Sequence, residues 1–439
     1  MQCTASGAAR ARPPGRCYNP RRMAEAVAAA VLAALALQVA VETGLLLVHL
    51  RHAARARGVP AVLAGRVTAE TAERSRAYTL AKGRFALWQG AYGVALVLAA
   101  LYSGVLPWLD GSLAAAGLEG AHLFVAFLAV LQAALALASL PFAAFHTFVV
   151  EARFGFNRTT VRLWIADGLK GAAISAAIGI PLLYAAYGFM RFTGALWWVW
   201  LFGFLVAVQV VLLWLWPTVI APLFNRFSPL PEGELRARLE ALAAEAGFRN
   251  RGLFVMDASK RSGHSNAYFS GILRPRIVLF DTLVERMTVD EAAAVLAHEI
   301  GHYRRRHVHR RLAASLAGSF LVLLALSRLV GWPPLAEAFG FAGPSLHATL
   351  AIVSLAGGAF LFWLSPVSAW LSRRHEYEAD RYSIRLARRP EALASALVRL
   401  NGENLSNLHP HPWYSAWHYS HPTLVERLAA IEREAGAAA

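Results

Sequence analysis

"AVLAHEIGHYRRRHVHRR" (294–311) joins a zinc-binding spacing to a membrane boundary. Each helical residue advances about 100°, so His298 and His302, four apart, project about 40° from one another. Both imidazoles can reach one ion. Glu299 lies on the flank, where a carboxylate takes a proton from water rather than ligating. This is the His-Glu-x-x-His pattern of a zinc protease helix. The next stretch of chain decides the fold: residues 312–332 form an apolar run able to cross a bilayer, and further such runs lie on both sides.

The 439 residues are 57% hydrophobic, with 13 Trp and 23 Phe, and only 16% are charged. Soluble domains carry roughly a quarter. An α-helical polytopic membrane protein is expected, with seven spans at about 24–50, 85–108, 121–150, 166–190, 195–221, 312–332 and 346–371. The fourth is the weakest, because Gly and Ala dominate it and Pro181 interrupts it. A formal charge of +16 can signal nucleic acid. Here Arg clusters beside apolar runs, which points to membrane topology and a lipid bilayer as partner, with no nucleic acid. Cys3 and Cys17 are the only cysteines. Any metal must therefore be held by His and carboxylate.

Lys and Arg set the orientation. Residues 51–84 carry eight of them, whereas "DGSLAAAGLEG" (110–120) carries none. The alternation continues, so the C-terminal ends of the odd-numbered spans should face the cytoplasm. Residues 1–22 break the pattern with five Arg and no acid, and Met23 opens directly into span one. The expected organisation is therefore an extension (1–22), spans one to five (23–224), a protease domain with the motif helix (225–311), spans six and seven (312–371) and a C-terminal part of the protease domain (372–439). In 225–311, an amphipathic helix (232–247), a strand "GLFVMDAS" and the paired strands "NAYFSG" and "RIVLFD", linked by Gly271 and Pro275, give a small α+β unit. It feeds a helix over 289–310 that starts near Thr288, with Asp290 and Glu291 in its first turn.

A catalytic zinc site takes a third protein ligand and keeps one position open. His307 and His309 are near in sequence, but His307 lies five residues past His302 and points away on a continuous helix. Both read as basic-face residues. The alternative is "RRHEYEAD" (373–380), where Glu376 and Asp380 share a face and Glu378 points nearly opposite. Glu376 would ligate and Asp380 would orient a ligand imidazole. A solvated face pairing with Arg373, Arg374 and Arg381 fits the same spacing.

"LAHEIGH" with "SRRHEYEAD", and around them "YTLAKGRF", "FVVEARFGFNRTT", "WPTVIAPLFNRFSPLP", "LFVMDASKRSGHSNAYFSG", "RIVLFDTL" and "HYSHPTLVERL", resemble the integral-membrane CAAX prenyl protease 1 family over residues 25–433. The resemblance implies seven helices enclosing a chamber, closed at one end by the small zinc metalloprotease domain. It implies one zinc ion per chain held by His298, His302 and Glu376, with Glu299 as general base and Asp380 supporting a ligand histidine. Asn266 and Tyr268 fall in the family's "NAYF" strand, which lines the substrate cleft. His421, in "SHP", matches a histidine that stabilises the oxyanion, with His418 as the alternative. The departure is His375, where the family more often has an aromatic residue; it could compete as a ligand.

The implied substrate is a peptide or protein, membrane-associated or ending in a CAAX-like sequence, with or without a prenyl group. A site-2 protease would need its zinc motif inside a span and a later Leu-Asp-Gly; here "LDG" (109–111) precedes the motif. An HtpX-like quality-control protease has the same chemistry with fewer spans. A transporter with structural zinc would be expected to show four ligands, commonly thiolates. Glu42, and more weakly Gln38, Gln132 and Gln209, are polar within spans, and Glu42 is expected to face the chamber. Composition and charge bias predict a bacterial inner membrane, with the protease domain on the cytoplasmic side.

Overall fold

The computed structural model describes residues 20–248, 252–270 and 276–438. The expectations for residues 1–19 and for the link at Gly271 and Pro275 lie outside the described residues. Pro20, Arg21 and Arg22 already belong to the first helix.

Among the described residues, seven helices are long and apolar enough to cross a membrane, as the hydropathy runs predict. The first five are α1 (Pro20–Arg55), α2 (Ala69–Tyr102), then, after a short α3 (Val105–Ala115), α4 (Gly120–Phe145), α5 (Val161–Phe192) and α6 (Trp197–Leu215). Helices α4 and α6 each run on into a π turn, His146–Glu151 and Trp216–Ile220, and the latter leads into α7 (Ala221–Phe224). Both boundaries of α2 differ from the reading of hydropathy. Helix α2 starts well before residue 85 because the Thr68 side chain caps it, accepting a hydrogen bond from Thr71 N. It stops at Tyr102, since Gly104 takes φ 82° and turns the chain into α3.

The sheet domain opens with β1 (Phe227–Pro229) and α8 (Glu234–Glu245), followed by β2 (Leu253–Met256), β3 (Ala267–Ser270) and β4 (Arg276–Phe280). The sheet order is β1-β2-β4-β3. Strands β2 and β4 are parallel, and the two outer pairings are antiparallel. After α9 (Asp281–Arg286) comes the motif helix α10 (Val289–Arg304), which packs with α8 on one sheet face through Leu239, Leu242, Ile277, Leu279, Leu296 and Ile300. A complete capping box starts α10: Thr288 and Glu291 bond each other's backbone N–H.

The chain then re-enters the apolar layer through α11 (His307–Leu329), a short α12 (Pro333–Glu337) and α13 (Leu346–Leu361). A 3-10 turn, Phe362–Leu364, joins α13 to α14 (Ser365–Ala387), so no break falls near residue 371. One rod runs from the seventh span into the sheet domain. Helices α15 (Pro390–Glu403), α16 (Pro412–His418) and α17 (Leu424–Ala438) finish the domain.

The spans pack mainly on neighbours, α1 on α2, α4 on α5, α5 on α6 and α6 on α11, like staves. At one end, Leu106 of α3 and Leu335 of α12 join Val31, Leu101, Phe127 and Ile352 in an apolar plug. At the other end of α1, His49 contacts Asn407 and stacks on Tyr414 at 4.0 Å. Val31 and His49 are separated by about 27 Å of helix rise, close to the thickness of a hydrocarbon core. The apolar plug and the sheet domain therefore lie at opposite ends of α1.

Candidate metal centre and active site

Small residues bring the two halves of the site together. Where α10 crosses α14, Ala294, Ala297 and Ala379 are fully buried, and Ser383 Oγ donates to the Ala294 carbonyl at 2.8 Å. A Cβ added at Gly301 would sit 3.0 Å from Tyr382 Cβ and 3.1 Å from Ala379 Cα. The close approach aims His298 and His302 of one helix at Glu376 of the other.

Three ligand atoms converge there. His298 Nε2 and His302 Nε2 are 3.2 Å apart. They lie 3.4 Å and 3.3 Å from the two oxygens of Glu376, a side chain only 2% exposed. A tetrahedral ion with bonds of about 2.1 Å separates its ligand atoms by about 3.4 Å. Glu376 Oε2 is buried without a hydrogen-bond partner. His421 Nδ1 comes within 2.8 Å of it, but not in hydrogen-bonding geometry.

The outer hydrogen bonds bear on the tautomers of the two rings. His298 Nδ1 is 2.8 Å from Asp380 Oδ1. When the imidazole is neutral and donates there, its Nε2 carries the lone pair, and a bound cation would displace the proton that the raised pKa otherwise keeps on the ring. Asp380 is in turn held by Arg427, with Nε to Oδ2 at 2.9 Å and Nη2 to Oδ1 at 2.5 Å. On the other side, His302 Nδ1 is 3.0 Å from His307 Nδ1, and His307 Nε2 is 3.2 Å from Glu378 Oε2. The carboxylate takes the His307 Nε2 proton, so His307 Nδ1 accepts from His302 Nδ1 and His302 Nε2 is also bare. In these tautomers two lone pairs and a carboxylate oxygen face one point, an arrangement that fits a metal ion. His298, His302 and Glu376 are the described residues that could hold one.

The reading of His307 as a basic-face residue is corrected: it is 1% exposed and belongs to the cluster. The helix expected through 310 ends at Arg304, because Arg306 takes φ 58° and α11 starts afresh at His307. That turn swings His307 back under His302. Glu378, expected to point away, receives it. His375 stacks on His307 at 4.1 Å, on the outer side of the relay. His309 is exposed, as expected. Sequence reasoning also missed Arg427, whose only signal was a cation on an amphipathic last helix.

Burial is the largest influence on Glu299 and pushes its carboxyl above the usual range, opposed by His298 and His302. Burial would lower the His298 imidazole, but the carboxylates of Asp380 and Glu376 outweigh it and raise it to about 9. His421 is 63% exposed beside Glu376, whereas His418 packs on Tyr414. Asn266 is exposed at the head of β3; its Oδ1 accepts from Ala267 N and its carbonyl from Phe280 N. Strand β3 ends the sheet, so its outer edge is unpaired among the described residues. Tyr268 packs with Met256, Val278 and Phe280 on the sheet face opposite α10. Glu42 accepts from Gln38 at 3.3 Å, and its charge reaches Tyr414 and His418 near the inner end of α1.

Membrane-crossing helices around a His-His-Glu centre with a flanking carboxylate define an integral-membrane metalloendopeptidase. Residues 49–226 match the CAAX prenyl protease N-terminal family with five membrane helices, and residues 229–435 match peptidase family M48. The CAAX prenyl protease 1 homolog of Oryza sativa is 40% identical, over 85% of this chain and 90% of its own length. The CAAX prenyl protease 1 of Saccharomyces cerevisiae is 37% identical, over 85% and 88%. The crystal structure of S. mikatae Ste24p superposes with a TM-score of 0.86 at 32% identity, covering 94% of this chain and 99% of that one. The chain belongs to the CAAX prenyl protease 1 family of M48 peptidases.

Proposed function

We propose that the protein is a zinc endopeptidase that cleaves peptides presented at the membrane, including ones with CAAX-type C-termini. The observation that carries this reading is the pair of imidazole nitrogens 3.2 Å apart, each within 3.4 Å of a Glu376 oxygen, beside Glu299. The names of the relatives support the substrate class. His298, His302 and Glu376 would hold one zinc ion, which supplies a Lewis acid for the scissile carbonyl and acidifies the attacking water. Glu299 accepts the water's proton and delivers it to the leaving amine; its raised pKa suits both transfers. His421 donates a hydrogen bond to the developing oxyanion. Asp380 fixes the His298 tautomer. The free edge of β3, entered at Asn266 and continued by Tyr268, suits main-chain pairing with an extended peptide. The Lys/Arg bias supports a cytoplasmic protease domain over residues 225–311 and 372–439, and the composition supports a bacterial inner membrane, although the Oryza and Saccharomyces relatives are eukaryotic. The spans would enclose the chamber that admits the substrate.

The test is cleavage of one CAAX-ended peptide, with and without its prenyl group, by zinc-loaded protein, with Glu299→Gln alongside. The expected outcome is turnover at least about a hundredfold above Glu299→Gln, with zinc content equal in both proteins. Equal rates in the two would sink the assignment of the base, and no cleavage of either peptide would sink the substrate class.

A further inference from the structure

We propose that a cavity beside the metal centre binds the free C-terminal carboxylate of the substrate, with Lys82 as counter-ion. This rests on the endopeptidase reading and deepens it. The cavity has a volume of about 670 Å³, the size of a small-ligand site. It fits a few residues of extended chain rather than a folded domain. His421 and Arg427 form one wall, the inner ends of α1 and α2 a second, and α15 a third.

Its charge is unbalanced. The chain has three lysines. Lys170 lies 3.8 Å from Asp167, and the same carboxylate senses Lys260. Lys82 has no carboxylate within ion-pair distance among the described residues; its ammonium lies over the Tyr78 ring, 4.7 Å from the centroid. Lys82 is exposed and lines the cavity in the first half of α2, so its ammonium is free to meet an anion there. Arg427 is already paired with Asp380, which leaves Lys82 to meet an anion. In the α15 wall, Asn401 Oδ1 is buried without a hydrogen-bond partner, an acceptor suited to a main-chain N–H. A peptide tail offers both complements, a carboxylate and an N–H. A CAAX sequence is by definition C-terminal, so its carboxylate lies only a few residues from the bond to be cut. A lipid phosphate would satisfy Lys82 but supplies no N–H for Asn401.

The experiment compares kcat/KM for matched peptides ending in a free acid or an amide, using the full-length zinc-loaded protein, Lys82→Gln and Lys82→Arg. The free acid should be favoured by roughly ten- to a hundredfold, mostly through KM. The ratio should fall toward one in Lys82→Gln and survive in Lys82→Arg. To guard against misfolding of the Lys82 variants, binding of the acid and amide forms to Glu299→Gln protein is measured by calorimetry, and the same preference is expected. Equal handling of acid and amide, as a bound lipid phosphate would give, overturns the subsite and leaves the endopeptidase standing, as does a preference that persists in Lys82→Gln. Cleavage of neither peptide above the Glu299→Gln blank overturns both.

Discussion

His302 owes its tautomer to a residue that ligates nothing. Its Nδ1 proton goes to His307, whose own proton goes to Glu378, so a carboxylate acts on the centre through an intervening ring. His307→Ala should therefore weaken zinc binding by roughly ten- to a hundredfold, with Glu378→Gln following in the same direction. Competition against a chelator of known affinity reads this directly; an unchanged affinity in both would reduce the relay to packing. The two motif histidines and the Glu376/Asp380 pair are visible in sequence because helical spacing alone gives them shared faces. His307 is not, because its position depends on Arg306 in the left-handed region, a conformation that an arginine does not advertise. Arg427 is hidden for another reason: its partner Asp380 lies on a helix far away in the chain, and nothing local to either marks the pair.

At the scale of elements, the crossing of α10 and α14 sets the metal geometry, and Gly301 sets the crossing. A valine there would press on Ala379 backbone that cannot move without shifting α14. Gly301→Val should cost about 1–3 kcal/mol and lower zinc content, whereas a surface change such as Arg385→Lys should do neither. Melting temperature together with bound zinc per chain checks it, and a variant that keeps both would mean that the helices have room to spare. The long apolar runs make all seven spans legible, including the interrupted α5. Their ends are less so. Composition does not mark where Thr68 starts α2 or where Gly104 ends it, so α3 is divided in the sequence reading between span two, taken to residue 108, and the connection after it.

At the scale of the molecule, the centre joins a helix of the sheet domain to a rod that continues into the bilayer. Chelation should therefore lower the melting temperature of the whole protein, since a ligand that binds only the folded state adds about 4 kcal/mol when present at a thousand times its dissociation constant. Restoring zinc should restore the temperature. A melt indifferent to chelator would mean that the ion does not bridge the two halves. The order of the halves along the chain has its own consequence. The motif helix leaves the ribosome before spans six and seven, and Glu376 only after them. A nascent chain carries His298, Glu299 and His302 but lacks Glu376 until the last span has been made. On the proposed ligand set, peptidase activity is withheld until the seventh span has been made, so a half-made copy is inactive.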